Sequence, residues 1–406
     1  MTSTHDIIIV GGGMVGSALA LALAQQTSLS IALLEAQPQD EQWSPAHYHH
    51  RVSAIALSSQ RILQSLHVWD DIQQKRISPF TQIAVWDADG KNEIYFDSKE
   101  IAAPLLGFIV ENNVMQSALQ EKIKHYPQIT FLSPIKLVKC IEQENAIELT
   151  AEDGTWLSAK LVIAADGAHS WIRQCAGIDI DKYDYSQEAI VAMVNTALPH
   201  QKIARQVFLE TGPLAFLPLR DANTTSIVWS LPVGEAKRLM NVDIDEFKHL
   251  LTQAFDSRLG EVLSVGKRYS FPLYKQQARN YVKSRIALVG DAAHTVHPLA
   301  GQGVNIGFLD AASLVDVIVE AIEKRRDFAS LATLRRYERW RRADNMTMLA
   351  GIDFIKKIFA SDKKSVKNLR SLGLGATSRI QWVKNIFTRH AVGDRAGLPK
   401  MAAKAL

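Results

Sequence analysis

Three clusters of glycine and aspartate in this chain have the residue types and spacing of ligand-gripping turns. The first is Gly11-Gly12-Gly13-Met14-Val15-Gly16. The second is Asp166-Gly167, with Arg173 shortly after it. The third is Gly290-Asp291-Ala292-Ala293-His294, continued by Pro298 and by Gly301, Gly303, Val304 and Asn305. In the first cluster Gly11 permits a tight turn, Gly13 lets backbone approach a pyrophosphate, and Gly16 lets a helix pack closely on a strand. The helix N-terminus then offers free N–H groups and a favourable dipole to phosphates. Glu35 lies where a carboxylate accepts from a ribose 2′-OH, which disfavours a 2′-phosphate. An adenine dinucleotide is the expected ligand.

The other two clusters narrow the ligand to a flavin. Asp166-Gly167 follows the apolar run Leu161–Ala165, so a carboxylate and a bare backbone stand at a strand's carboxyl end, where open α/β sheets bind ligands. Asp291 likewise follows Ile286–Val289 and is suited to accept from a ribitol hydroxyl. The glycines after it deliver a helix start whose partial positive charge would stabilise a reduced isoalloxazine anion. His294 and His297 sit beside this motif, where a histidine more often holds backbone than moves protons. No side chain stands out as a catalytic acid or base, and no metal-ligand spacing is present.

Elements must position these turns. Asp6–Val10, an Ala- and Leu-rich run and Ile31–Glu35 read as strand, helix and strand. Apolar spacing predicts helix over 53–75 and 112–126, and extended chain over 80–97 around Asp89-Gly90. Residues 129–150 and 155–164 read as strands, with a turn at Asp153-Gly154. From 182 to 281 the runs become β-type, with a helix at 243–257, and a long helix starts near Gly303. Phe208, Phe216, Leu217 and Trp229 in that stretch read equally as substrate wall or as sheet core.

The expected fold class is α/β, a Rossmann-like FAD-binding domain with an inserted, mostly antiparallel β-sheet substrate domain and a helical C-terminal tail. Its expected extents are 1–78, 109–181 and 282–340 for the FAD-binding domain, 79–108 and 182–281 for the substrate-binding sheet, and 341–406 for the basic tail. Residues 351–406 hold 12 Lys or Arg against 3 Asp. Ile352, Ile355, Ile358 and Phe359, then Trp382, Val383, Ile386 and Phe387, fall at helical spacing among them. Such a segment either packs on its own domain or lies on an anionic membrane or a partner. With 406 residues, 47% hydrophobic and 22% charged, the rest is ordinary for a soluble enzyme. Two cysteines, Cys140 and Cys175, argue against a disulfide framework. No secretory leader is expected, and a cytoplasmic location, or a peripheral one on the inner membrane, fits.

The set resembles the group A flavoprotein aromatic hydroxylases, which share the para-hydroxybenzoate hydroxylase fold, over essentially the whole chain. It is most similar to their ubiquinone-biosynthesis branch, through Arg51-Val52-Ser53-Ala54-Ile55, Ile109–Asn112, Gly290–Thr295, His297–Asn305 and Arg335–Glu338. Ala204–Phe208, Ser226–Leu231 and Phe255–Gly260 look most like the 2-polyprenylphenol hydroxylase type. The resemblance implies FAD held by Gly11, Gly13, Val15, Gly16 and Glu35 at its ADP half and by Arg51 from the loop after the second strand. Asp291 would hold the ribitol, while Gly301, Gly303, Val304 and Asn305 would present backbone to the ring. Asp166 and Gly167 belong to a motif linked to FAD and to reduced pyridine nucleotide. Asn112 stands where many relatives carry arginine, which weakens its case as a flavin contact.

The implied reaction takes O2 and a prenylated phenol, and places oxygen from a flavin C4a-hydroperoxide ortho to the phenol oxygen. Electrons come from NAD(P)H or a protein donor, since Gly373-Leu374-Gly375 follows no strand and no second nucleotide unit is evident. Other ubiquinone-pathway proteins are implied partners; nucleic acid is not. The rival readings are a sister hydroxylase of a later demethoxy benzoquinol, a flavin reductase of isoprenoid lipids, and a flavin-binding interaction protein. A halogenase is disfavoured by the absence of a W-x-W-x-I-P segment.

Overall fold

A computed structural model describes residues 2–38, 43–87, 93–295, 303–360, 393 and 397–404. The strand Thr2–Val10 carries Ile7, Ile8 and Ile9, all fully buried, because both of its faces are covered. It pairs in parallel with Ile31–Leu34 on one side and with Trp156–Ala164 on the other. Ile129–Leu132 and Ile286–Leu288 extend the parallel sheet at its two flanks. The helix Met14–Gln26 returns the chain between the first two strands, and Gly303–Glu323 packs beside it. Both helices are rich in buried Ala, Leu and Val, which lets them lie close.

A second sheet is mostly antiparallel and runs Tyr269–Ala278, Ile180–Thr196, Thr224–Pro232, Gly212–Pro218, Ile203–Leu209, Gln82–Asp87 and Glu93–Asp97. Among the described residues its one parallel pairing joins Gln82–Asp87 to Ile203–Leu209, stitching together segments far apart in the chain. One face is covered by the helices Val233–Asn241 and Ile244–Ala254, with Ile190, Ile227, Trp229 and Phe247 between them. A third, small sheet of Val52–Ile55, Gly107–Glu111 and Ser78–Phe80 packs against the other face.

The α/β class with an antiparallel second sheet is as expected from sequence. Three local expectations are corrected. The helix expected over 53–75 begins only at Leu57, because Val52–Ile55 pairs with Gly107–Glu111 as a strand. The helix Val233–Asn241 was not anticipated. The boundary expected at 340/341 falls inside the helix Leu331–Ala360, where Arg341 is locked to the preceding helix. No helix among the described residues is long and apolar enough to cross a membrane. The Asp89-Gly90 turn, His297, Pro298, Gly301 and residues 361–392 of the basic tail lie outside the described residues. Residues 397–404 return to the body: Arg61 Nη1 donates to Ala402 O at 2.6 Å, and Trp340 Nε1 to Gly397 O at 3.1 Å.

Candidate functional site

The first glycine turn divides into two tight positions and one open one. A Cβ on Gly11 (φ +110°) would lie 2.3 Å from Ala165 O, and one on Gly16 would lie 1.9 Å from Gly11 O. Both backbones are pressed against neighbours, so no side chain fits. A Cβ on Gly13 would meet nothing within 4 Å. Gly13 also precedes the helix Met14–Gln26, whose start no side chain caps. An uncapped helix start facing open space is a seat for an anion. Glu35 flanks it, accepting from Gly12 N–H at 2.8 Å through Oε2 and from Gln37 N–H at 2.9 Å through Oε1.

The other two clusters meet this turn. The Gly11 contact with Ala165 brings in Asp166-Gly167, and Val15 touches the third motif. A Cβ on Gly307 would lie 2.6 Å from Val15 Cγ2, and one on Gly290 3.5 Å from Val15 Cγ1. Gly303, Val304 and Asn305 form the first turn of the helix that contains Gly307. Gly11, Gly13, Val15, Gly16, Asp166, Gly167, Asp291 and the start of that helix therefore surround one region.

Asp291 is solvent-exposed yet hemmed in by protein, as a group on a cleft floor is. Desolvation pushes its carboxyl above the ordinary range, against the pull of His294 and Arg51. Arg51 stands close by, its guanidinium 5.6 Å from the Phe271 ring centre. Beneath the turn lies Asp310, wholly buried, which accepts from Gly290 N–H at 3.0 Å and Arg341 Nε at 2.7 Å. His294 Nε2 lies 2.5 Å from the same carboxylate. Burial alone would raise the Asp310 carboxyl; His294 and Arg341 hold it below the usual value. His294 thus anchors the turn and is not presented to the cleft.

Asp166 turns inward. Its Oδ2 accepts from Trp171 N–H at 2.8 Å and Ile172 N–H at 3.2 Å, and burial pushes its carboxyl up. That leaves Gly167 (φ +78°), half-buried with open space where a Cβ would stand, as the backbone the pair can present. Arg173 is buried and spans two motifs, donating to Ala292 O at 2.8 Å and Ala168 O at 2.9 Å. The Asn305 side chain donates to Ala54 O at 2.7 Å and accepts from Ala56 N–H at 2.9 Å. The Asn112 side chain accepts from Ser53 Oγ at 2.7 Å. The Asn305 amide is therefore engaged on both sides by Ala54 and Ala56, and the Asn112 amide oxygen by Ser53. Sequence reasoning missed Asp310, Arg341, Arg76 and Glu111. An aspartate set between Phe308-Leu309 and Ala311-Ala312 in the apolar helix Gly303–Glu323 was the available signal for the first.

The side of the antiparallel sheet away from its two helices meets the third sheet, through Ala54 and Ile109, and carries Phe271, over which Arg51 lies. Strand alternation and pairing put Ala189, Val191 and Met193 beside Ser226, Val228 and Ser230, then Ala215 and Leu217, then Ala204 and Gln206. All are uncharged, and Val191, Met193 and Val228 are only half-buried. Of the aromatic wall residues read from sequence, Phe216 and Trp229 belong to the opposite, helix-covered face as core. Leu217 is on the inner face, packed with Ala54 and Ile109. Among the described residues no group of His, Cys, Asp and Glu could hold a metal.

A family model described as FAD binding domain matches residues 4–350. The 3-demethoxyubiquinol 3-hydroxylase of Escherichia coli is 37% identical over 388 residues, covering 96% of this chain and 98% of the relative. Ubiquinone hydroxylase UbiL of Rhodospirillum rubrum is also 37% identical, over 96% of this chain and 89% of its own length. Among solved structures, p-nitrophenol 4-monooxygenase PnpA from Pseudomonas putida superposes with a TM-score of 0.77 at 20% identity, covering 97% of this chain and 100% of that one.

Proposed function

We propose, from the premise that this chain belongs to the FAD-binding domain family as a FAD-dependent monooxygenase of the ubiquinone-biosynthesis hydroxylases, that it hydroxylates a polyprenylated phenol beside the phenol oxygen. The observation that carries this reading is the uncharged, half-buried centre of the sheet face whose Phe271 lies under Arg51, the arginine that also acts on Asp291. A carboxylated ring would need a cation on that face; Ala189, Val191, Met193, Ser226, Val228 and Ser230 offer none, and the guanidinium that reaches its edge, Arg51 over Phe271, is assigned to the cofactor. A neutral phenol with an isoprenoid chain suits it.

The residues present fit FAD. Gly13 leaves the open cradle at an uncapped helix start, and Glu35 stands at its edge. Gly11, Gly13, Val15, Gly16 and Glu35 would hold the ADP half, Asp291 the ribitol, and Arg51 the cofactor from the side. The backbone of Gly303, Val304 and Asn305 would meet the ring, with the Asn305 amide kept away by Ala54 and Ala56. Gly167 would supply backbone, whereas Asp166 and Asn112 act through the turns they tie. When bound, FAD supplies the electron transfer and O2 activation that no side chain can. The chain's own part is to bind and orient the phenol and to exclude water. Val191, Met193 and Val228 do this by lining the cleft with apolar surface. No side chain of the described site is assigned as acid or base, because His294 is engaged with Asp310. The antiparallel sheet would be the substrate side and the parallel sheet the cofactor side. Reductant would come from NAD(P)H bound transiently or from a protein donor.

A second reading is favoured by the name of the Escherichia coli relative: hydroxylation of a later, demethoxylated quinol. Mass spectrometry of quinone intermediates in a strain lacking this protein separates them. Accumulated polyprenylphenol supports the first reading and a demethoxy quinol the second. An unchanged quinone profile overturns both.

A further inference from the structure

Residues 43–51 form neither helix nor strand, yet they bring Arg51 to a defined place beside Phe271 and Asp291. An ion pair that Arg51 never touches holds much of this loop, alongside His50 stacked on Tyr269 at 4.0 Å and Tyr48 Oη donating to Asp221 at 3.0 Å. Arg76 Nε lies 2.9 Å from Glu111 Oε2, with the side chains 8% and 2% exposed. The same guanidinium donates through Nη2 to Ser44 O at 2.9 Å and His47 O at 3.0 Å. It also covers the Tyr48 ring at 4.1 Å. Glu111 accepts from His49 N–H at 2.6 Å through Oε1. The next residue, Asn112, donates its N–H to Arg51 O at 3.0 Å. The loop is therefore gripped at Ser44, His47 and His49 by one buried pair, and at Arg51 by the backbone of the residue next to Glu111.

We propose that the Arg76–Glu111 pair is a positioning device for the cofactor, pre-ordering residues 43–51 so that Arg51 meets FAD without FAD having to order the loop. The proposal rests on the reading of Arg51 as a cofactor contact. Fold stability alone does not call for this pair, since apolar residues of similar volume replace a buried ion pair with little or no loss. What apolar residues cannot do is hold irregular backbone. A planar guanidinium serves a carboxylate and two carbonyls at once, and a carboxylate takes a backbone N–H in a strong charge-assisted bond. An ordered loop spares the ligand an entropic cost on binding.

The test is fluorescence titration of FAD into apoprotein, with melting temperature followed in parallel. Arg51→Ala in the parent is expected to weaken FAD by about tenfold. The double variant Arg76→Met/Glu111→Gln retains an acceptor for His49 N–H and leaves no buried charge. It is expected to melt within about 3 °C of the parent yet to bind FAD about tenfold more weakly. Adding Arg51→Ala to it should then cost no more than about twofold, because an unplaced arginine has little left to lose. Parent-like FAD affinity in the double variant, or losses that simply multiply in the triple, would overturn the proposal. If the double variant does not fold, Arg76→Lys serves instead: it keeps the charge but lacks the fork, and parent-like FAD binding there would equally refute it. An Arg51→Ala protein with unchanged FAD affinity would instead overturn the reading of Arg51 itself, which is a separate failure.

Discussion

The two sheets of this protein present opposite kinds of surface to the space between them. The parallel sheet, buried on both faces, ends in turns of backbone, glycine and carboxylate, in which Gly11 and Gly16 leave no room for a Cβ. At its centre the antiparallel sheet offers small and uncharged side chains, several of them half-buried, with Asp87 on a strand toward the edge of the same face and Arg51 over Phe271. Shape is stringent on the first side and polarity on the second. A change of one methyl group should matter on the cofactor side, whereas the substrate side should tolerate size but not charge.

Gly16→Ala is the severest test. Its Cβ would stand 1.9 Å from Gly11 O, which is backbone and cannot yield. A loss of about 4 kcal/mol, or failure to fold, is expected from such overpacking. Purified variant protein should carry no flavin absorbance, and a normally yellow Gly16→Ala protein would break the comparison.

Asp310→Asn should come next, at about 3–5 kcal/mol, because it leaves Arg341 buried without its main counter-charge. Denaturant unfolding would measure the loss. The Asp310 carboxyl titrates below its ordinary 3.8 in the fold. The stability it contributes is therefore complete above that value and disappears as pH falls through the lower, folded-state value. The variant should lose this acid-side dependence, and an unaltered acid limb would refute the assignment.

Val228→Glu addresses the opposite sheet. A charge on the neutral face should lower kcat/KM by about a hundredfold, on the order of 3 kcal/mol. FAD content should stay near one per chain. Co-loss of FAD would show that the two sides are not separable in this way. The mildest change is Asp166→Asn. Burial raises that carboxyl in the fold, so its ionisation penalty is absent below 3.8 and complete above the raised value. Asn can still accept from Trp171 and Ile172, and should stabilise the apoprotein at neutral pH by about 1 kcal/mol. Equal stability of the two proteins across pH would argue against it.

The same contrast explains what was readable in the sequence. Gly11, Gly16 and Gly290 are legible because the constraint is local: a left-handed turn or a close approach admits only one residue type. The first strand–helix–strand unit was legible for a similar reason, its apolar runs being continuous where both faces are covered. The inner face of the antiparallel sheet was not. Whether Phe216 or Leu217 faces the cleft depends on the register with Arg205 and Ser226, and register is set by partners remote in the chain. Val52–Ile55 hid for a related reason: a four-residue strand continuous with a helix has an apolar spacing that reads as helix. Arg76 and Glu111 carry no local mark at all. Their meaning lies in the loop atoms they reach.

Ala402 is completely buried, and its carbonyl is held by Arg61, on the helix that follows the strand Val52–Ile55. Lys400 N–H is bound by Asp316 at 2.9 Å. A protease nick anywhere in the stretch 361–392 would thus not by itself shed the last residues. The clipped peptide would dissociate only after leaving Arg61, Asp316 and Trp340. Gel electrophoresis under denaturing conditions would reveal the cut, while size-exclusion chromatography would still show a single species.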